Sequence, residues 1–580
     1  MSPTRRKFLK QLPVQISAFS LLSSAAAPAL AQQAMQMHDQ AAPTAQGRPA
    51  ILAHPPTMLH CLELAPFVDA LPLPERILPT PALDGKGPHT VRIAMREIHA
   101  KVHRDVPATR FWSYARLLPS SQEQTPQSAQ HHRAEPHEDS FSALSPLIEA
   151  RAGQPLQIEW VNHLPTKHFL PVDFSLHGCG HDIPEVRACV HLHGACTQSK
   201  EDGQPEDWFV PGKSRICRYP LQQDATALWY HDHAMGLNRL NIYAGLFGQF
   251  LIRDHAEDAL NLPSGAYEVP LTLYDRNFTA DGQLFYPTSG IPDRPWVPEF
   301  SGDAILINGK VRPYFEVEPR PYRFRVLNAA NSRFFGLTFT KQQPFHQIGT
   351  DQGLLPAPVP LTSLMLAPAE RADLLIDFSQ SAGQRLHLLT GAFEILEFRV
   401  APSANPSAAP SSASAKPATL PATLRPVPRL PESSAITTRT ITLNEYQDNA
   451  GNPMIMLLNR KHWYEPVTET PRLNTTEIWE FVNLTEDTHP MHLHLVRFQL
   501  LDRRVFDTFD YLMHKQLRFQ GPVLPPDPNE LGWKDTIQCP PAMITRIIVR
   551  FEGYPGRYLY HCHILEHESN DMMRPFEVLA

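Results

Sequence analysis

Histidines separated by a single residue occur four times in the sequence, and their spacing suits them to metal binding. The four motifs are His191-Leu192-His193, His231-Asp232-His233, His492-Leu493-His494 and His561-Cys562-His563. Residues i and i+2 of a β-strand point to the same face of the sheet, so each motif presents two imidazoles side by side. A single pair is a weak signal, because alternating histidines also occur on solvated strands. Four pairs supply eight imidazoles, which predicts three metal ions with two or three histidines each.

The last motif contains a cysteine between its histidines, and this cysteine predicts a second kind of metal site. On a strand, Cys562 points to the face opposite His561 and His563, so one short segment can contact two different sites. One copper ion moves one electron, whereas the reduction of dioxygen to water needs four. A thiolate site joined directly to a histidine cluster therefore predicts an oxidase that accepts electrons one at a time and transfers four of them to dioxygen.

Three residues near Cys562 or free elsewhere in the chain complete the thiolate site. His489, His567 and Met572 are available as its further ligands. Two imidazoles, a thiolate and a weak thioether are the ligand set of a blue-copper electron-transfer site. Zinc accepts a thiolate but gains little from a thioether. In the alternative interpretation, Met573 is the thioether ligand and Met572 packs in the core.

Short strands are expected to position these residues. The segments 156–161, 322–327 and 544–551 alternate apolar and polar residues, which is typical of strands with one buried face. No long segment has a helical period, and 59 prolines argue against a helical bundle. The pattern predicts an all-β fold with three β-sandwich domains, 66–255, 256–400 and 435–580.

Other segments are expected to lie outside these domains. Residues 32–65 and 120–140 are polar and predicted to be loose, and their methionines and histidines are better explained by solvation than by metal binding. Residues 401–434 are rich in proline, alanine and serine, a composition that predicts a semi-extended linker. The formal net charge of -7, without a long basic run, argues against a nucleic-acid partner.

The first 31 residues have the features of a bacterial twin-arginine export signal. Arg5 and Arg6 precede Phe-Leu-Lys and a modestly apolar run, and Ala29-Leu30-Ala31 matches a small-x-small cleavage site. No other segment is apolar enough for long enough to span a bilayer. We expect export by the twin-arginine machinery and a soluble, monomeric periplasmic protein without stable membrane association.

Seven cysteines occur, and an oxidising compartment permits disulfides. If Cys562 binds metal, the six others are Cys61, Cys179, Cys189, Cys196, Cys217 and Cys539. The Cys179–Cys189 pair would close a short loop and is the expected disulfide. In the alternative interpretation, most of the six are unpaired.

At these residues the sequence resembles the multicopper oxidases, especially the bacterial spore-coat laccases, with bilirubin oxidases and phenoxazinone synthases as relatives. The resemblance covers nearly all of the chain outside the loose segments. Beyond the histidine motifs it includes Phe67–Pro72, Arg104–Arg110, Leu228–Met235, Ile307–Lys310, Gly532–Thr536 and His563–Glu568. It implies three cupredoxin-like Greek-key domains and four copper ions: one mononuclear type 1 copper in the third domain, and a cluster of one type 2 and two type 3 coppers between the first and third.

The resemblance also implies a role for each ligand position. The type 1 copper would take His489, Cys562, His567 and Met572; the type 2 copper His191 and His492; the type 3 coppers His193, His231 and His563, and His233, His494 and His561. Asp202 and Glu568 match carboxylates that help to deliver protons to dioxygen, and a positioned acid is reasonable because water formation consumes protons. The alternative interpretation makes both of them surface carboxylates.

The expected activity is that of a laccase. Phenolic or arylamine donors would give up electrons at the solvent-side edge of His567, and the electrons would pass through Cys562 to the cluster, where dioxygen becomes water. Bilirubin oxidation and o-aminophenol oxidation are alternatives, because loop shape around His567 decides the donor. A copper-handling binding protein without turnover is an alternative of another class, and the complete ligand set argues against it.

Overall fold

Strands make up most of the regular structure. A computed structural model describes residues 56–81, 87–117, 144–291, 294–402, 420–449 and 451–580. The predicted export signal, the 120–140 insertion, most of segment 32–65 and residues 403–419 of the predicted linker lie outside these residues. The described residues form six sheets, so the predicted all-β fold is confirmed.

The six sheets follow one another along the chain as three pairs, here called units one, two and three. The strands of unit one are β1 Arg76–Ile77, β2 His89–Ala100, β3 Thr109–Arg116, β4 Leu147–Arg151, β5 Leu156–Asn162, β6 Val190–His193, β7 Ser214–Tyr219, β8 Thr226–Asp232 and β9 Phe247–Arg253. They form sheets of order β1-β4-β9-β8-β6 and β3-β2-β5-β7.

Unit two contributes the longest run of strands. These are β10 Glu268–Phe278, β11 Leu284–Phe285, β12 Ala304–Ile307, β13 Lys310–Val311, β14 Tyr314–Val317, β15 Pro321–Asn328, β16 Phe335–Phe339, β17 Phe345–Thr350, β18 Gly353–Leu361, β19 Ser363–Leu366, β20 Arg371–Asp377, β21 Arg385–Thr390 and β22 Phe393–Val400. Their sheets have the orders β13-β12-β10-β15-β20-β17-β18, with β11 beside β10, and β14-β22-β21-β16-β19.

Unit three carries the C-terminal motifs. Its strands are β23 Ala435–Gln447, β24 Pro453–Leu458, β25 Thr476–Asn483, β26 His489–Leu493, β27 Phe498–Val505, β28 Thr536–Cys539, β29 Met543–Arg550, β30 Gly556–Cys562 and β31 Met573–Val578, in sheets of order β24-β23-β25-β29-β27 and β28-β26-β30-β31. The described α-helices are short: α1 Asn238–Ala244, α2 His255–Asp258, α3 Thr508–His514 and α4 Leu565–Ser569. None of the described helices is long and apolar enough to cross a membrane.

Strand β15 differs from the half-buried strand that its alternation predicts. Nearly the whole strand is buried, and its arginines Arg323 and Arg325 are only 2% and 4% exposed. The guanidinium of Arg325 contacts Glu268 at 2.8 Å and Asp373 at 2.8 Å, and Glu268 also accepts a 2.6 Å hydrogen bond from Arg253 of unit one. The polar face is therefore buried against unit one by an ionic network that local alternation does not reveal.

The last part of the predicted linker, residues 420–434, lies against the folded units. Its backbone N–H groups and arginines reach all three units. Arg425 contacts Asp224 at 2.7 Å and also pairs with Asp254, and the N–H of Leu424 donates to the carbonyl of Pro356 at 2.9 Å. The guanidinium of Arg429 donates to the carbonyl of Leu500 at 2.6 Å. This stretch is extended, as its composition suggests, but held by side-chain contacts.

All seven cysteines are free, so the predicted Cys179–Cys189 disulfide is wrong. The thiol of Cys179 faces the carbonyl of Met235, at 3.9 Å, whereas the thiol of Cys189 donates to the carbonyl of Gln204 at 3.0 Å. The two sulfurs therefore have separate surroundings. Closeness in the chain did not bring them together in space.

Breaking the buried network at β15 should destabilise the fold. Replacing Arg325 with methionine removes one of the three arginines that neutralise these buried carboxylates, beside Arg253 and Arg323. Loss of one partner from a buried ionic network costs about 3–5 kcal/mol in the free energy of unfolding. Arg92→Met, which removes an exposed arginine paired with Glu159 at 2.7 Å, should change it by less than about 1 kcal/mol. Denaturant unfolding of both variants checks this; equal losses would contradict a special role for the buried pair.

The same network predicts acid sensitivity. Glu257 belongs to the network because it accepts a 2.6 Å hydrogen bond from Arg325. Burial raises the pKa of Glu257, but the neighbouring arginines outweigh it and lower the pKa from 4.5 to about 2. Because the folded pKa lies below the ordinary one, this contribution is complete above about pH 4.5 and is lost as the pH falls towards 2. Part of the stability difference between the native chain and Arg325→Met should therefore disappear over that range.

Candidate metal centre

The histidine motifs are placed by two antiparallel strand pairs. In unit one, β6 pairs with β8 so that His191 lies opposite His231. In unit three, β26 pairs with β30 so that His492 lies opposite His561. In each unit, two motifs thus lie on neighbouring strands of one sheet. The imidazoles of unit one and those of unit three are buried and come together in shared groups.

Cys562 forms a compact triangle with two histidines. Its sulfur lies 3.5 Å from Nδ1 of His489 and 3.7 Å from Nδ1 of His567, and the two nitrogens are 3.3 Å apart. Three ligands bonded to one ion at about 2.0–2.3 Å would lie roughly 3.5–4 Å from each other, so the triangle has the size of a trigonal metal site. All three side chains are fully buried.

Backbone hydrogen bonds place Met572 beside this triangle. The N–H of Cys562 donates to the carbonyl of Met572, and the N–H of Met572 donates to the carbonyl of His567, both at 3.0 Å. Met572 also packs in the same apolar cluster as Cys562. The alternative ligand, Met573, starts β31 and packs in a different cluster, with Leu559. The surroundings of the two methionines favour Met572 as the thioether.

The remaining histidines form three groups between units one and three. In each group, ligand atoms from all three residues lie within 4.8 Å of one another: His191 with His193 and His492; His193 with His231 and His563; and His233 with His494 and His561. The sequence-predicted ligands of each type 3 copper thus lie in one group, and the two predicted type 2 ligands share the first.

The ring nitrogens show that these groups suit cations. Nε2 of His191, of His231 and of His492 is buried without a hydrogen-bond partner, and so are both nitrogens of His563. In the third group, Nε2 of His561 lies 3.4 Å from Nε2 of His233 and 3.2 Å from Nε2 of His494. Each of these contacts can be a hydrogen bond only if one of its two nitrogens carries a proton. Buried polar atoms without partners are costly, and a metal ion at each group would satisfy them.

Electrostatics keeps these imidazoles neutral. Burial lowers the pKa of His191, of His492 and of His494 well below the ordinary value, and repulsion by neighbouring imidazoles adds to it. Burial likewise lowers the pKa of His233 to about 4. A neutral imidazole with a free lone pair is the form that binds a metal ion.

Asp202 and Glu568 are not surface carboxylates. Asp202 is 1% exposed, and its Oδ2 lies 2.8 Å from Nδ1 of His494. Glu568, also 1% exposed, lies 3.3 Å from Nε2 of His233 and 3.3 Å from Nδ1 of His561. Burial raises the pKa of Asp202 well above its usual range. Burial also raises that of Glu568, but His561 and His233 outweigh it and the net direction is downward.

His567 has no exposed edge, which corrects the expected electron path. Its side chain is 0% exposed, and its Nε2 lies 3.3 Å from Oε1 of Glu299, whose side chain is 20% exposed. The segment around Glu299 is anchored on α4, because Nε1 of Trp296 donates to the carbonyl of Glu566 at 3.0 Å. Glu299, rather than the imidazole, forms the surface at this point.

Several residues of the centre had no distinguishing signal in the sequence. The hydroxyl of Thr485 lies 2.6 Å from Nε2 of His489, and the carboxylate of Asp535 lies 3.0 Å from Nε2 of His193. Asp535 belongs to one of the segments that carry the family resemblance, but nothing in the segment's spacing indicates what it contacts. Glu299 lies in unit two, so only the folded structure brings it to His567.

Comparison with known proteins agrees with this geometry. Two sequence models described as multicopper oxidase match residues 185–257 and 429–580, the regions that carry the histidine groups. A laccase of Bacillus subtilis (strain 168) is 42% identical over 89% of this chain and 99% of its own length. The chain belongs to the multicopper oxidase family. As in that family, its cofactors are four copper ions, one type 1, one type 2 and two type 3.

Further relatives of this multicopper oxidase occur in Haloferax volcanii and Arabidopsis thaliana. A laccase of Haloferax volcanii is 38% identical over 89% of this chain and 85% of its own length. The multicopper oxidase LPR1 of Arabidopsis thaliana is 33% identical over 89% of the chain and 93% of its own. Among solved structures, a multicopper oxidase of Aquifex aeolicus matches with a TM-score of 0.68 and 26% identity, over 88% of this chain and 99% of that one. These matches support the predicted cupredoxin-like fold.

The two neighbouring methionines provide a matched test of the type 1 site. Met572→Leu should leave the oxidase folded and blue but raise its redox potential, because the axial thioether tunes the potential. Met573→Leu, in a separate apolar cluster, should leave the potential unchanged. Spectroelectrochemical titration of both variants measures this, and a shift in Met573→Leu alone would assign the thioether to that residue instead.

Proposed function

We propose that this multicopper oxidase couples the one-electron oxidation of phenolic and arylamine donors to the four-electron reduction of dioxygen to water, as a laccase. One observation carries the proposal: Cys562 belongs to the thiolate site, while its chain neighbours His561 and His563 belong to two groups of the histidine cluster. A covalent path of one residue thus joins the two sites. When bound, the copper ions supply the redox chemistry.

Donors are proposed to deliver electrons at the surface that Glu299 covers. The carboxylate lies 3.3 Å from Nε2 of His567. A second carboxylate, that of Asp487, lies beside Glu299. Burial and the charge of Glu299 raise the pKa of Asp487 to about 7. Two acids beside the buried imidazole of His567 favour neutral or cationic aromatic donors over anionic ones. Loss of the Glu299 charge should therefore alter donor selectivity.

Proton delivery is assigned to Asp202 and Glu568. Both touch histidines of the cluster, and their pKa values are shifted in opposite directions, upward for Asp202 and downward for Glu568. An acid whose pKa is raised by burial keeps its proton to higher pH and can supply it, and a nearby carboxylate can receive and reorient that proton. The other side chains of the centre bind the metal, exclude water and fix imidazole orientation.

Alternative functions differ in the donor or in turnover itself. Bilirubin oxidation and o-aminophenol oxidation use the same ligand set, so a comparison of kcat/KM across donors decides between them and a general laccase. A copper-handling protein without turnover would bind copper yet consume no oxygen with any donor. The buried carboxylate of Glu568, 3.3 Å from two histidines of the cluster, favours turnover, because simple metal storage does not need an acid there.

We propose that the chain is exported folded by the twin-arginine machinery and acts in the periplasm as a monomer. Arg5, Arg6 and the Ala29-Leu30-Ala31 site support this location. Export in the folded state suits a protein whose histidine cluster lies between two units and forms only after folding. Fractionation of cells that express the chain, with Arg5 and Arg6 replaced by lysine as control, tests it.

Two buried glutamates of helix α4, separated by His567, test proton delivery. Glu568→Gln should lower the rate of oxygen consumption by about 100-fold or more, the usual effect of removing a positioned acid or base. Glu566→Gln alters an equally buried glutamate of the same helix, bonded instead to Tyr286 and Asn331 at 2.8 Å each, and should keep most of the rate. Oxygen-electrode assays with a copper measurement check both; equal rates would remove Glu568 from proton delivery.

Glu299→Gln tests where donors approach. Removal of one charge beside a donor about 4 Å away changes its binding by about 1 kcal/mol, roughly fivefold. We expect kcat/KM to fall by that factor for a cationic arylamine and to rise for an anionic aromatic donor, with the KM for oxygen unchanged. Identical selectivity in the variant and the native chain would place donor oxidation elsewhere.

A further inference from the structure

One aspartate of unit one supports two histidines of the cluster at once. The backbone carbonyl of Asp202 accepts a hydrogen bond from Nδ1 of His191 at 2.6 Å, and its carboxylate lies 2.8 Å from Nδ1 of His494. The two imidazoles stack with their centroids 3.9 Å apart and their planes 22° apart. The carbonyl thus holds a histidine of its own unit, and the carboxylate holds one from unit three.

Asp535 of unit three repeats this arrangement with the units exchanged. Its carbonyl accepts from Nδ1 of His492 at 2.8 Å, and its carboxylate lies 3.0 Å from Nε2 of His193. These two imidazoles stack at 3.6 Å with planes 15° apart. Each aspartate therefore holds one predicted type 2 ligand through its carbonyl and one predicted type 3 ligand through its carboxylate.

The two carboxylates differ in how firmly they are held. Oδ1 of Asp202 is buried without a hydrogen-bond partner. Asp535 is clamped on both oxygens: Arg371 donates to Oδ1 at 2.8 Å and to Oδ2 at 2.5 Å, and Gln352 donates to Oδ2 at 2.7 Å. A bidentate guanidinium fixes the plane of a carboxylate as well as its charge. Asp535 is 0% exposed and Arg371 2% exposed, so water does not compete for these bonds.

The carboxylate of Asp535, held by Arg371 and Gln352, determines which ring nitrogen of His193 is left without a partner. Because Nε2 faces Asp535, the unpartnered atom is Nδ1. In His191 and His492 the reverse holds: Nδ1 is bonded to a carbonyl and Nε2 is unpartnered. The second nitrogen of a metal-binding histidine, through its partner, sets the tautomer and ring orientation. His193 alone among these three is set by a carboxylate rather than a carbonyl.

Unit two completes this support although it supplies no ligand. Arg371 starts β20 and Gln352 precedes β18, and no candidate ligand group among the described residues includes a residue of 256–400. Gln352 also donates to the carbonyl of Gly194 at 2.9 Å. Gly194 has φ +88°, and a Cβ there would lie 2.6 Å from Oδ2 of Asp535, so the residue after His193 leaves room for the clamp.

We propose that Asp535 is a positioning residue, held by Arg371 and Gln352 of unit two, that presents Nδ1 of His193 to the copper cluster and couples the cluster to the ligand-free unit. The inference rests on the proposed function only in taking His193 as a copper ligand. Unit two then contributes to copper binding by positioning a ligand, although it supplies no ligand itself.

The test compares two aspartate–arginine pairs in which the aspartate is fully buried. Asp535→Asn and Arg371→Gln should each weaken copper binding at the cluster by about 10- to 100-fold, the usual effect of losing the partner of a ligand histidine. The double variant should lose little more than either single variant, because the pair acts as one unit. The control is Asp275→Asn, a 0% exposed aspartate bonded to Arg333 at 2.7 Å in unit two, which should bind copper normally.

Three measurements separate positioning from general damage. Chelator-competition titration of the metal-free protein gives the copper affinities. The blue absorption of the Cys562 site, expected to persist in all variants, reports a folded unit three. Electron paramagnetic resonance should change for the cluster copper in Asp535→Asn and Arg371→Gln while the signal of the cysteine-bound copper is kept.

Two results would overturn the inference. One is native copper affinity and an unchanged cluster signal in Asp535→Asn. The other is an equal loss of copper in Asp275→Asn, which would trace the effect to stability. Failure of the native chain itself to bind copper at the histidine groups would instead refute the proposed function, so the two failures are distinguishable.

Discussion

The opposed faces of strand β30 are the constraint on which the rest of the structure depends. Successive side chains of a strand point to opposite sides. The side chain of Cys562 therefore points away from those of His561 and His563, although the three residues are neighbours in the chain. The thiolate can then share a site with His489 and His567 while both neighbours contribute to the histidine cluster. Any shift of register by one residue would exchange the two faces and destroy both sites.

This constraint requires units one and three to meet with little freedom. Every histidine group combines residues of both units, and Asp202 and Asp535 each bridge between them with a carbonyl and a carboxylate. Unit two holds the arrangement from outside, through Arg371 at the cluster and through the buried ionic network of β15. Interactions of this kind contribute specificity of geometry more than net stability, because the burial of charges offsets much of the attraction between them.

Side-chain chemistry and short-range spacing were sufficient to predict the all-β fold and the composition of the thiolate site, whereas the assignment of each histidine to a group came from the family resemblance. The i, i+2 spacing of His191 and His193 fixes their common face whatever the surrounding fold. Long-range contacts were not predictable in the same way. The arginines of β15 alternate as solvent-facing residues do, yet they are buried by unit one, and a short loop between Cys179 and Cys189 did not make a disulfide. Glu299 covers His567 from unit two, and no local pattern encodes that approach.

The most direct test of the account is X-ray absorption spectroscopy at the copper edge on copper-loaded protein, combined with a count of copper per chain. The account predicts four coppers per chain, with one copper–sulfur bond of thiolate length that is absent in Cys562→Ser and with imidazole nitrogens around the others. A count clearly below four, or a copper–sulfur bond that survives that substitution, would contradict the claim that Cys562 joins the two sites.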